Sequence, residues 1–394
     1  MARFLFYDNK VINILLQEEL PAGGAAVQAL GWIRGLAEKG HEVYVLTDSP
    51  QNKPIKESCR DIRLLPLYDH QKGIRWLRWV YYRLPYIYKQ IKQVQPDYLY
   101  QGIPGWNSFL LGILCYWLNI KFVMRISNDF LVDDRFYKSY SRTHRFFQKL
   151  GFRLSHAILC QNEYQFSIIK KEYPNKKVLK ISNPIVLTPP AGEVENQDRN
   201  YIAWLGLFQY QKNLKLLYEI ATILPREQFV VAGKEINTVD AETLMYLEEL
   251  KKLPNVRFAG FLQRQEVAPF LAKARFLLNT SHYEGFSNTF LEAMSVATPI
   301  ISSHKVNPDA ILTKYQLGLV FQDPGDLQRQ YQALTAEHYQ SLCNNAFNYV
   351  LAHHDHKELA GHLTRFLNAE QPAASSDKVP ASFAEPMAIP IRQA

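Results

Sequence analysis

Two doubly wound α/β domains, parallel sheets facing each other across a cleft, are what this sequence predicts. Three observations predict them. Short apolar runs of strand character alternate with helical patterns almost from end to end. One Pro-rich, polar stretch, Thr188-Pro-Pro-Ala-Gly-Glu-Val-Glu-Asn-Gln-Asp198, interrupts that alternation near the middle. At 394 residues the chain is long enough to give each half its own core.

The first set of strands reads Arg3–Tyr7, Glu42–Leu46, Tyr98–Tyr100, Lys121–Ile126, Ala157–Cys160 and Lys177–Ile181, with helical patterns between them such as Ala26–Lys39 and Trp106–Leu118. A second set follows the interruption: Tyr201–Leu205, Gln228–Ala232, Val256–Phe258, Phe276–Asn279 and Pro299–Ser302. This divides the chain into a first domain over 1–185, a linker over 186–200 and a second domain over 201–345. From Glu370 the chain is poor in bulky apolar residues, so 369–394 reads as a disordered tail. Ligands of open α/β sheets bind beyond the carboxyl ends of the strands, which puts the site in the cleft.

A hydrophobic fraction of 47% with 21% charged residues is that of a soluble globular protein. The longest apolar run, Phe109–Leu118, is ten residues, short for a membrane span. The N-terminus reads as a first strand and lacks the apolar core of a signal peptide. Cys59, Cys115, Cys160 and Cys343 show no paired spacing, which fits neither a metal motif nor a disulfide framework and favours a reducing, cytoplasmic compartment. The net charge of +8 is unevenly spread: residues 1–185 carry 27 Lys+Arg against 15 Asp+Glu, and the rest of the chain is net acidic. A basic front half argues that the first domain meets an anionic surface.

The most informative stretch is Ser281-His-Tyr-Glu-Gly-Phe-Ser-Asn-Thr-Phe-Leu-Glu-Ala-Met-Ser-Val-Ala-Thr-Pro299. A buried strand, Ala274–Asn279, precedes it, Gly285 permits a sharp bend, and Ser287 or Asn288 caps a helix that turns Phe290, Leu291 and Met294 inward. Glu284 then lies beside a helix N-terminus, where backbone N–H groups attract phosphate, and Glu292 sits about one turn into the helix. Such a pair suits a ligand with a diphosphate in the middle and a polyhydroxyl ring at each end, a nucleotide sugar. An ordinary strand-turn-helix with two solvated glutamates is the alternative that these residues leave open.

Glu284-(seven residues)-Glu292, followed by Ala-Met and Thr-Pro-Ile-Ile-Ser, resembles the signature of the family 4 retaining glycosyltransferases of the GT-B fold, and weaker signatures extend the resemblance in register from Arg3 to about Leu367. The resemblance implies two Rossmann-like domains and a last helix, within 346–368, that crosses back onto the first domain. It also implies roles. Glu284 binds donor-sugar hydroxyls, Glu292 the ribose, and Gly285, Phe286, Ser287, Asn288 and Thr289 line the donor site. Gly23 and Gly24 approach the donor diphosphate and the acceptor; Gly206 and Lys212 meet the phosphates. The family's arginine after that glycine is Leu207 here, and its histidine near the end of Lys121–Ile126 is replaced by Ser127-Asn128-Asp129. Asn128 then hydrogen-bonds the sugar and Asp129 accepts the acceptor's proton or orients a hydroxyl, although Ser-Asn-Asp is also ordinary turn chemistry. With no Asp-x-Asp motif in these loops, no metal and no cofactor are expected.

His70–Gln93 contains six Lys/Arg, six Trp/Tyr and no acidic residue. Arg75, Trp76, Arg78, Trp79 and Arg83 are read as a membrane patch, with rings at headgroup level and cations over anionic lipid. A core-facing aromatic stripe with a solvated basic side is the alternative. Nucleic acid is not expected, since no nucleic-acid-binding fold signal accompanies the patch. A second basic-aromatic run, Arg142–Arg153, lies in the same half. The resulting expectation is a retaining, metal-independent transferase that moves a sugar from a UDP- or GDP-sugar to a saccharide, lipid-linked at the inner face of the cell membrane, in surface polysaccharide synthesis. Two alternatives stand beside it: a cytosolic transferase with a soluble acceptor, and a degenerate protein that binds nucleotide or membrane without turnover.

Overall fold

A computed structural model describes residues 1–20, 23–49, 53–74, 77–187, 199–235 and 239–369. Of the expected linker over 186–200, residues 188–198 lie outside the described residues, as does the expected tail over 369–394 apart from Ala369. Strands β1 (Arg3–Tyr7), β2 (Glu42–Thr47), β3 (Arg63–Pro66), β4 (Tyr98–Gln101), β5 (Lys121–Arg125), β6 (Ala157–Cys160) and β7 (Lys177–Lys180) form one parallel sheet in the order β3-β2-β1-β4-β5-β6-β7. A second parallel sheet contains β8 (Tyr201–Phe208), β9 (Phe229–Glu235), β10 (Val256–Gly260), β11 (Ala274–Asn279), β12 (Ile300–Ser303) and β13 (Gly318–Phe321), in the order β10-β9-β8-β11-β12-β13.

Alternation along β1 explains why each sheet is covered twice. Phe4 and Phe6 pack into one buried cluster with Trp32, Ile33 and Leu36 of the helix Gly24–Glu38. Leu5, between them, packs into the opposite cluster with Ile87, Ile91, Leu111 and Leu114. Apolar residues on both strand faces are what a parallel sheet with helices on both sides needs. The second domain repeats the pattern with its own pair of clusters. Strand order reverses at β1 and at β8, and the cleft lies beyond the carboxyl ends there.

Two strands escape the sequence reading, β3 and β13, each four residues long and each at a sheet edge. Edge strands pair on one side only, so they need not carry a long apolar run. The last two helices split the segment expected to cross. Ala336–His353 stays on the second domain, with Ala346 and Val350 in a cluster with Phe290. The chain then turns at His354 and Asp355, whose carboxylate caps the helix His356–Asn368 by accepting from the N–H groups of Lys357 and Glu358 at 2.9 Å. Only that final helix lies on the first domain, burying Leu359, Ala360, Leu363 and Leu367 with Trp32 and Leu36. No helix among the described residues is long and apolar enough to cross a membrane.

Candidate active site

The second domain builds the cleft from its strand ends. β8 runs out through Gly206 into a turn that carries Lys212, and Asn213, in the left-handed region, closes it by accepting from the Leu216 N–H at 3.2 Å. Thr280, just past β11, fixes this loop: its hydroxyl accepts from Trp204 Nε1 at 3.0 Å and donates to the Lys212 carbonyl at 2.7 Å. Lys212 Nζ therefore meets Glu284 Oε1 at 2.5 Å, and Ser281 Oγ donates to the same oxygen at 3.0 Å. These two side chains are 17% and 11% exposed, so the pair is largely out of water, and removing either charge strands the other.

Glu292, from the helix Asn288–Met294, points into the cleft and pairs with Arg264. Glu292 and Arg264 line a cavity of about 180 Å³ together with Gly23, Gly206, Leu207 and Gly233. Glycine matters on these walls because the backbones touch: a Cβ at Gly233 would lie 1.9 Å from the Gly206 carbonyl oxygen. Gly23 holds φ at +77°, which favours glycine, and a Cβ at Gly24 would lie 3.0 Å from Asn288 Nδ2. The stem of Lys212 packs against Gly206 of that cavity wall, where a Cβ would lie 3.4 Å from its Cδ and Cε.

The first domain closes the other side. Asp129 Oδ1 accepts from Gln165 Nε2 at 2.8 Å and from Asn162 Nδ2 at 3.0 Å, and Asn162 Nδ2 also donates to the Gly285 carbonyl at 2.9 Å. Burial raises the Asp129 carboxyl above its ordinary value, and those two amide donors oppose the shift. A Cβ at Gly285 would lie 3.2 Å from Asp129 Oδ1 and 3.3 Å from the Asn128 Cα, so the two domains approach closely here. A second bridge centres on Asn288, which donates to the Gly24 carbonyl at 2.7 Å and accepts from Gln28 at 3.2 Å and from Asn183 at 3.3 Å. Behind it, buried Arg125 donates to Gln28 and Asn183 and lies over the Trp32 ring.

Two glutamates, a lysine and glycine-lined backbone thus converge at the switch point of two Rossmann-like sheets. Residues 22–188 match the family model described as Glycosyltransferase Family 4, and residues 199–337 match Glycosyl transferases group 1. The chain belongs to the family 4 glycosyltransferases. It is 27% identical over 166 residues to the 2-deoxystreptamine N-acetyl-D-glucosaminyltransferase of Niallia circulans, a stretch covering 40% of each chain. It is 26% identical over 168 residues to the lipopolysaccharide core biosynthesis glycosyltransferase LpsE of Rhizobium meliloti, covering 43% of this chain and 47% of that one. The match thus spans less than half the length of these relatives. Among solved structures, sucrose-phosphate synthase of Thermosynechococcus elongatus superposes with a TM-score of 0.73 at 16% identity, covering 93% of this chain and 99% of that one. HepE of Anabaena, in complex with UDP and glucose, gives 0.72 at 13% identity, covering 94% and 100%. These likenesses establish the GT-B fold.

Some predicted residues of this family 4 glycosyltransferase are held by contacts within the protein. Asn128 spends its side-chain oxygen on a local cap, accepting from the Phe130 N–H at 3.0 Å. Phe286 packs against Phe290 and His354. Ser287 is buried as the N-cap of its helix, its hydroxyl 2.9 Å from that of Thr289. The predicted membrane patch is corrected in part. Arg83 is 7% exposed, stacked on Tyr68 and Trp79, and donates to the His70 carbonyl, so it cannot reach lipid. Trp79 turns inward onto Tyr68 and Trp106, and Arg78 donates to the His70 carbonyl at 2.8 Å. Arg75 and Trp76 lie outside the described residues. Sequence reasoning missed Arg264, Asn162, Gln165, Gln28 and Asn183. Each acts through a partner on another element, so no local spacing marks it.

Proposed function

We propose that the protein transfers a sugar, with retention of anomeric configuration and without a metal, from a nucleoside diphosphate sugar to an acceptor hydroxyl. The observation that carries this reading is the Lys212–Glu284 pair beside Gly206, with Glu292 on the same cleft. Glutamates accept hydrogen bonds from sugar and ribose hydroxyls, and Lys212 meets the phosphate charge. The acceptor oxygen bonds to the anomeric carbon as the bond from that carbon to the diphosphate oxygen breaks. The acceptor attacks from the face that the diphosphate leaves and its proton passes to the leaving phosphate, so neither a protein nucleophile nor a protein base is required. The enzyme contributes positioning and charge stabilisation. The loops of the cleft carry no Asp-x-Asp motif, which supports metal independence. HepE, described in complex with UDP and glucose, supports a UDP-sugar donor.

The acceptor we infer is a lipid-linked saccharide of a surface polysaccharide, met at the inner face of the membrane. Its support is the likeness to LpsE and to the O-antigen chain mannosyltransferase B of Escherichia coli, 25% identical over 157 residues. Exposed Tyr116, Trp117 and Phe146 occur with exposed Arg142 and Arg153 on two packed helices, Ser108–Trp117 and Arg142–Leu154, which suits an anionic lipid surface. A soluble acceptor is the second reading, favoured by the relative that acts on 2-deoxystreptamine. Release of nucleoside diphosphate across a panel of UDP- and GDP-sugars, with lipid-linked and soluble acceptors, tests the activity. Turnover with no member of the panel would sink it. Co-sedimentation with anionic vesicles, weakened in an R142A/R153A variant, tests the membrane contact; unaltered sedimentation would remove it.

A further inference from the structure

The cleft holds two matched charge pairs from the second domain, Lys212 with Glu284 and Arg264 with Glu292. We propose that Arg264 is a second diphosphate-binding cation, released from Glu292 to the donor's phosphates when the ribose hydroxyls take its place. This rests on the nucleotide-sugar reading above and names a residue that the reading does not contain.

Position comes first. Arg264 lines the same cavity as Gly23, Gly206 and Glu292, and it is the single cation among the residues that line it. Lys212 packs its aliphatic stem against Gly206, and Gly206 lines the cavity with Arg264, so a phosphate beside Gly206 lies near both side chains. A diphosphate carries more negative charge than Lys212 alone can match, and a guanidinium binds phosphate through two parallel N–H groups.

Anchoring comes second. Arg264 begins the helix Arg264–Ala272, and its N–H donates to Glu19 Oε2 of the first domain at 2.7 Å. Glu19 is itself held by Lys56. The Arg264 backbone is thereby pinned at the domain boundary while its side chain, 31% exposed against 11% for Glu292, keeps room to re-aim.

Charge exchange comes third. A largely buried carboxylate left unpaired is costly, so Glu292 needs a partner with or without a donor. Arg264 supplies it in one case and two ribose hydroxyls in the other. Lys212 and Glu284 make the same exchange, with the phosphate taking the lysine and the donor sugar taking the glutamate. One ligand with an anionic centre and hydroxyls at both ends satisfies all four groups together.

The test is calorimetric titration of the full chain with UDP and uridine, and with GDP and guanosine, in wild type, R264A, R264K and K212A. R264A is expected to weaken binding of the diphosphate by about tenfold and that of the nucleoside by less than about twofold, as the loss of one charge-assisted contact requires. R264K should recover part of the diphosphate affinity, and it carries the comparison should R264A fail to fold. Equal losses for nucleoside and diphosphate would reduce Arg264 to a residue that orients Glu292. Unchanged diphosphate binding in R264A beside a loss in K212A would overturn this proposal and leave the donor reading standing. A wild type that binds neither diphosphate would remove both.

Discussion

Lys212 Nζ lies 2.5 Å from Glu284 Oε1, although 72 positions separate the two residues in the chain. The loop after β8 and the loop after β11 meet because these strands are neighbours in the second sheet. Neither loop alone can hold a charge out of water, and together they do.

The first prediction concerns that pair. K212A should lower kcat/KM for transfer by about a hundredfold, as removal of one stabilising donor from a dry site does. E284Q should cost less than E284A because the amide keeps an acceptor oxygen for sugar hydroxyls. Steady-state kinetics checks both, and activity indifferent to K212A would overturn the site assignment.

Gly233 gives the second. Its Cβ position falls 1.9 Å from the Gly206 carbonyl oxygen, a distance no packing change absorbs. G233A should force β8 and β9 apart at the cavity wall, costing about 1–3 kcal/mol of stability, and should weaken nucleotide binding as well. Denaturant melts and UDP titration read the two effects. A stable variant with native affinity would show that the strands part there at no cost.

Acid sensitivity follows from His354. The ring is fully buried, its Nδ1 lies 2.8 Å from the Asn183 carbonyl, and burial pushes its pKa down to about 4. The unfolded chain takes up a proton at the ordinary histidine value of about 6.5, so between those values only the unfolded state binds it. The contribution is present above about pH 6.5 and is lost as pH falls towards 4. Wild type should lose about 2 kcal/mol more than H354Q between about pH 7 and about pH 5. Parallel losses in thermal melts of the two proteins would exclude His354 as the source.

The final helix provides the fourth. Leu363 is fully buried against the first domain, in the cluster that holds Trp32 and Leu36. L363A should destabilise the protein by about 2–5 kcal/mol through the cavity it leaves. Truncation after His354 should expose the same surface and reduce soluble yield. A truncated chain with the wild-type melting temperature would mean that the crossing contributes nothing.

The fold class was legible from sequence because its signals are local. Apolar runs bounded by turn residues mark parallel strands, and a polar, Pro-rich break marks where one sheet stops. The Glu284–Glu292 stretch was legible for the same reason: the strand Ala274–Asn279, the glycine bend and the helix Asn288–Met294 follow one another directly along the chain. The edge strands β3 and β13, four residues each, escaped the sequence reading. In the basic-aromatic segment, composition alone did not say which way each residue faced. Register and packing turned Arg83 and Trp79 inward.

What the sequence by itself determined is therefore the architecture, the family resemblance and one half of the candidate site. Only the tertiary structure decided the partners: Lys212 for Glu284, Arg264 for Glu292, Asn162 for Gly285, Gln28 for Asn288. Periodicity and turn chemistry act within a few residues, whereas these contacts join loops brought together by strand order and by the closure of one domain on the other.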